Sequence, residues 1–204
     1  MDNSYVIASS IVEDETIIQK SRFICYLKHC SSSEQAKVII KEVIELHPQA
    51  RHHCYAFAYL SASDSQGYGF SDDGEPSGTA GRPMLSALQY GGIGEICAVV
   101  VRYFGGTKLG TGGLQRAYGG SVKQALTLMS SKVKVAMTLR ELHCDYHQVD
   151  DVLHILKQFS SDILNQTYLQ NIVLQVNVPD KNVEEVERQL QTLSAGTIKL
   201  QKIK

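Results

Sequence analysis

Between Gly105 and Gly113 five of nine residues are glycine, and the stretch sits between two segments of different periodicity. Ahead of it, Ile96 to Val101 is a β-branched run suited to a strand buried on both faces. Behind it, Leu114, Ala117, Ser121, Val122, Ala125, Leu126 and Met129 share one stripe at helical spacing. A strand therefore passes into a helix through a turn almost without side chains, so the helix can lie close against its sheet. That demand makes the chain a mixture of helix and sheet, an α+β protein.

The remaining periodicity fills in the order of elements. Tyr5 to Ile11 and Phe23 to Leu27 read as strands, and Ser31 to Glu34 has the S-x-x-E form of a capping box. The helix it predicts carries Ala36, Ile39, Ile40, Val43 and Leu46 on one face and stops at His47-Pro48. Cys54 to Leu60 alternates small and large residues as a strand does, and Pro83 to Tyr90 suits a short helix with proline in its first turn. Gly119-Gly120 lies inside the long helix of residues 114–129. Each glycine there is unfavourable by about 1 kcal/mol relative to alanine, which predicts a close approach to a neighbouring element.

Ser130-Ser131 reads as a joint between two domains, residues 1–130 and 131–204. After it Val133, Val135, Met137 and Leu139 alternate with polar residues, and a helical stripe follows through Val149, Val152, Leu153, Leu156 and Phe159. Strands at Ile163 to Leu169 and Ile172 to Val178, a helix through Val183, Val186, Leu190 and Leu193 capped by Gly196, and a strand from Thr197 to Ile203 complete the order βαββαβ. This is the split βαβ, ferredoxin-like arrangement, and it fills residues 132–204.

Composition narrows the function. Five cysteines without a C-x-x-C pair suggest neither a disulfide framework nor a zinc ribbon, so a reducing, cytoplasmic setting is expected. The first ten residues lack a basic leader region, and no run of about 18 apolar residues is present, so no membrane partner is expected. Twenty basic against 21 acidic residues give a net charge of -1, which argues against tight non-specific nucleic-acid binding and gives no expectation of DNA sequence readout. Charge is nonetheless sorted along the chain. Asp64, Asp72, Asp73 and Glu75 precede a stretch holding Arg82, Arg102, Lys108, Arg116 and Lys123 against Glu95 alone.

Two segments can carry chemistry. Free amides at the helix start, Gly110, Thr111, Gly112 and Gly113, together with Arg82, Arg102, Lys108 and Arg116, form a candidate site for phosphate or carboxylate. The spacing matches neither a Walker A loop nor a dinucleotide fingerprint, and a turn that only brings helix and sheet together explains the glycines equally well. In the acidic loop, Asp72, Asp73 and Glu75 lie within four positions. They could hold Mg²⁺ through oxygen, bind a basic partner, or pair with Arg82 and Arg102, while Asp and Gly are also ordinary turn residues. His53 is a further candidate. A triad of His53 with Asp72 or Asp73 and Ser77 or Cys54 has no G-x-S-x-G elbow behind it, and His143 and His147 have no helix to pair them.

Taken together, Arg51 to Tyr55, Ser71 to Glu75 through Gly78 to Pro83, and Val100 to Gly120 resemble the signature of the Impact family, with likeness to its bacterial YigZ branch over essentially the whole chain. The resemblance implies a first domain like the second domain of ribosomal protein S5 and a second domain like the last domain of elongation factor G. Eukaryotic Impact regulates translation by countering activation of the Gcn2 kinase, but only the first domain resembles it and no RWD domain precedes that domain in this sequence. The family offers no catalytic residue to carry over. The expected function is a translation-linked binding protein, touching RNA phosphate or a ribosome-associated protein through the first domain, and no cofactor is predicted. The alternatives are a Mg²⁺-dependent enzyme acting on a phosphorylated or nucleotide-like molecule, and a protein-protein adaptor.

Overall fold

In a computed structural model, which describes residues 4–203, the chain divides into a unit from Tyr5 to Lys134 and a unit of Ser4 with residues 135–203. The first unit runs β1 (Tyr5–Ala8), β2 (Val12–Ile18), β3 (Ser21–His29), α1 (Ser33–Leu46), β4 (His52–Ala58), β5 (Tyr68–Ser71), α2 (Gly81–Gly91), β6 (Ile96–Tyr103), α3 (Gly110–Leu128) and β7 (Ser131–Lys134). Five strands form an antiparallel sheet in the order β2-β3-β6-β4-β5. Side chains alternate across it. Phe23, Cys25, Cys54, Ala98 and Val100 pack with Met84, Leu88, Leu114, Tyr118 and Val122 of α2 and α3. On the other face Ile24, Tyr26, Val99 and Val101 pack with Ile39 and Val43 of α1. Central β6 is covered on both sides, and its apolar run is accordingly buried throughout.

Three local expectations are corrected. The helix cap is Ser32, whose hydroxyl accepts from the Gln35 amide at 3.2 Å, while the Gln35 side chain reaches back to the Ser31 amide at 2.8 Å. The cap therefore lies one residue later than S-x-x-E places it, and the return bond runs to the amide of the residue before the cap. Strand β2 was not foreseen, because Glu13 and Glu15 are charged and Asp14 occupies an inward position. An edge strand tolerates this, since only one side of it must pair. Finally, β7 pairs with β1 in a separate two-stranded ribbon. The alternation that opens at Val133 therefore serves two elements, and the first unit ends at Lys134.

That ribbon is tied to the main sheet by buried Glu95, whose carboxylate accepts from Tyr5 Oη at 2.8 Å, bonds His29 Nε2 at 2.9 Å and pairs with Lys134. Burial alone would raise its pKa, but these partners outweigh that and hold it below the usual carboxylate value.

The second unit contains β8 (Met137–Cys144), α4 (Val149–Gln158), β9 (Asp162–Tyr168), β10 (Ile172–Pro179), α5 (Val183–Leu193) and β11 (Gln201–Lys202). Its sheet order is β11-β8-β10-β9, every pair antiparallel, so βαββαβ is the observed order. Ile172, Leu174, Val176 and Val178 face Val152, Leu156, Val186 and Leu190. Among the described residues no helix is long and apolar enough to cross a membrane.

Candidate functional site

The acidic loop turns its three carboxylates to three separate tasks. Asp72 accepts from the amides of Gly78 at 2.8 Å and of Ala80 and Gly81, each at 2.9 Å. It thereby caps the start of α2, which has no cap from its own N-cap residue. Partial burial pushes the Asp72 pKa up, yet the three N–H bonds outweigh it and leave it below the ordinary value. Asp73 accepts from the His53 amide at 2.6 Å, and its own carbonyl bonds His52 Nδ1 at 2.8 Å. Glu75 is buried, accepting from Arg102 Nη1 at 2.6 Å and from Tyr118 Oη at 2.8 Å.

The carboxylates thus meet protein donors and do not converge as a Mg²⁺ ligand set. Among the described residues, no three or more His, Cys, Asp or Glu side chains group as metal ligands. Of the pairings expected for the loop, Glu75 with Arg102 is present. Arg82 lies exposed on α2 and, among the described residues, forms no ion pair. Of the expected triad, only the His53–Asp73 pair forms, with Nδ1 at 3.8 Å from Asp73 Oδ2. His53 Nε2 is spent on the His47 carbonyl at 3.1 Å, and burial pushes the Cys54 thiol up to about 12, where it is no nucleophile at neutral pH.

Arg102 projects from the end of β6 onto the α2 and α3 face and is 8% exposed. Its guanidinium lies 5.6 Å from the ring centres of both Phe23 and Phe104. Among the described residues its Nε has no hydrogen-bond partner. Tyr118, on the inner face of α3, was absent from the apolar stripe read from the sequence. Desolvation drives its hydroxyl far above the ordinary pKa, so it stays a neutral donor to Glu75.

The glycine turn leads from this buried pair to the surface. A β-carbon on Gly105 would fall 2.0 Å from the Lys20 carbonyl carbon, so this glycine serves close packing against the turn between β2 and β3. Gly110 is different. Its φ of +69° is left-handed and nothing crowds it, so it sets the entry of the chain into α3. No side chain caps α3, and the amides of Gly110, Thr111 and Gly112 precede the first intrahelical donor, so the helical ladder leaves them without an acceptor. Gly113 is corrected on this point, because its amide reaches the Leu109 carbonyl as the first bond of the helical ladder.

Gly110 and Thr111 border a cavity of about 310 Å³ whose lining also includes Glu75, Arg102, Phe104, Lys108 and Leu109. The fold therefore brings together Arg102, Lys108, Gly110, Thr111 and Glu75. Arg116 stands beside the first turn, where a β-carbon on Gly112 would meet its Nη1 at 3.6 Å, and it lines a second groove with Lys123 and Tyr90. His53 and Arg82 are not among the cavity's lining residues. The apolar lining, Phe104 and Leu109 above all, was missed in the sequence, where single apolar residues flanking glycines give no periodic signal.

The Impact N-terminal domain family matches residues 19–126, and a domain of unknown function, DUF1949, matches residues 142–197. The chain is 47% identical to an IMPACT family member of Haemophilus influenzae over 97% of its length and 96% of that protein. It is 45% identical to IMPACT family member YigZ of Escherichia coli, covering 97% of each chain, and 35% identical to YvyE of Bacillus subtilis, covering 96% and 89%. A solved structure described as a hypothetical protein shares 43% identity with a TM-score of 0.73, over 100% of this chain and 98% of that one.

Proposed function

The chain belongs to the Impact family, in the YigZ branch, and from that premise we propose that it is a cytoplasmic binding protein of translation that grips phosphate on RNA through the first turn of α3. The observation that carries this reading is the uncapped helix start: the amides of Gly110, Thr111 and Gly112 have no side-chain acceptor, and exposed Lys108 stands just before them. Unfilled amides and the positive end of the helix dipole together favour an anion. Arg116 adds a second exposed cation one turn along.

The resemblance of the two domains to parts of ribosomal protein S5 and elongation factor G supports the link to translation, and five unpaired cysteines support a reducing compartment. A net charge of -1 supports a local grip rather than a long basic track. Arg102 takes a different part from the one its charge suggested. It holds Glu75 in the core, so replacing it would leave a buried carboxylate unpaired and damage the fold.

The test uses the exposed cations. In filter binding to single-stranded RNA over a salt series, Lys108→Ala with Arg116→Ala should weaken binding and lower the salt slope by roughly 0.7 for each phosphate that is no longer neutralised. Unchanged affinity and slope in the double variant would remove the reading.

A further inference from the structure

A phosphate gripped by surface cations alone needs neither an enclosed guanidinium nor an apolar wall, yet the cavity at the start of α3 has both. Arg102 and Glu75 form its buried floor, and Pro76, Phe104, Leu109 and Leu114 give it an apolar lining. Lys108 and the first-turn amides complete it. The Arg102 side chain is more than nine-tenths buried, spends Nη1 on Glu75, and within the chain has no acceptor for Nε. A buried donor of this kind, lining a cavity beside free amides, suits an anionic acceptor from outside the chain. Phe104 is 58% exposed and lies against the Arg102 guanidinium, which leaves an aromatic face for a flat group.

We propose that this cavity takes a nucleotide by its terminal phosphomonoester, with the phosphate at the Gly110 and Thr111 amides beside Lys108 and the base against Phe104. The inference rests on the phosphate-binding reading of the same helix start and names what is bound there. A phosphomonoester offers three free oxygens and nearly two negative charges, whereas a phosphodiester within a strand offers two oxygens and one charge. The two first-turn amides, Lys108 and the unused Arg102 Nε match the former. The volume, about 310 Å³, lies at the small end of ligand pockets and suits one nucleotide rather than a strand. Such a phosphate can come from the end of an RNA chain or from a free nucleotide.

The full chain is titrated by calorimetry with one short oligoribonucleotide bearing a 5′-phosphate, a 3′-phosphate or hydroxyls at both ends, and with free AMP. A phosphorylated end should improve affinity about tenfold or more over hydroxyl ends, the gain expected of charge-assisted bonds to one group. Thr111→Pro deletes one free amide of the first turn that no intrahelical bond uses, and Lys108→Ala removes the exposed cation. Each should erase most of that gain, and Lys108→Ala should leave the melting temperature unchanged. Should Thr111→Pro fail to fold, Lys108→Ala still decides the matter. Equal, salt-dependent binding of phosphorylated and hydroxyl-ended RNA would overturn the inference while leaving the RNA reading in place. Binding of AMP that depends on Thr111 and Lys108, with no binding of any oligonucleotide, would uphold the pocket and overturn the RNA reading. Failure of every phosphorylated probe to bind would overturn the inference outright.

Discussion

Asp72 shows how much one side chain can do away from any ligand. Its carboxylate holds three amide donors at the α2 start, so Asp72→Asn, with only one oxygen left to accept, should lower stability by roughly 1 to 2 kcal/mol in denaturant unfolding. The sign with pH follows from the depressed pKa. A carboxylate held below its unfolded value stabilises the fold fully above the unfolded pKa, about 3.9, and loses that contribution as pH falls through the folded value. The wild type should therefore lose stability more steeply than Asp72→Asn on acidification below about pH 4, and parallel curves would contradict the capping role. None of this could be read from the chain. Asp72 bonds residues six to nine positions on, a reach set by the path of the loop, whereas the pairing of Glu75 with Arg102 was open to expectation from their charges alone.

At the scale of elements, the paired glycines of α3 turn out to have unlike surroundings. A β-carbon on Gly119 would stand 3.4 Å from the Pro83 carbonyl oxygen of α2, so the close approach predicted from the sequence is real at this residue. Gly120 meets nothing within 4 Å. Gly120→Ala should accordingly stabilise the protein by about 0.5 to 1 kcal/mol through helix propensity, while Gly119→Leu should destabilise it by at least about 1 to 3 kcal/mol by forcing α2 and α3 apart. Thermal melts of the two variants check this, and shifts in the same direction would be inconsistent with it. Helices and the central strands were legible because they obey one period and bury one face. Strand β2 was not, because its inward row includes Asp14 and only its pairing with β3 makes it a strand.

For the whole molecule, the place where the first unit ends has a physical consequence. β7 supplies both the partner of β1 and Lys134 for buried Glu95, so residues 131–134 belong with the unit that precedes them. A fragment of residues 5–134 should melt cooperatively, and one of residues 5–130 should be less stable by roughly 1 to 3 kcal/mol, since Glu95 keeps Tyr5 and His29 but loses its cation. Equal melting temperatures would remove the anchoring role of the ribbon. The sequence by itself determined the α+β class, the order of the helices, the βαββαβ course of the second unit and the glycine turn into α3, because each is written in local periodicity or backbone permission. Only the tertiary structure decided which cation is buried and which is free, that the acidic loop spends its carboxylates on the protein itself, and that Phe104 and Leu109 wall a cavity at the helix start. Those outcomes depend on groups brought together from β6, α3 and the loop after β5, and no spacing along the chain encodes a meeting of that kind.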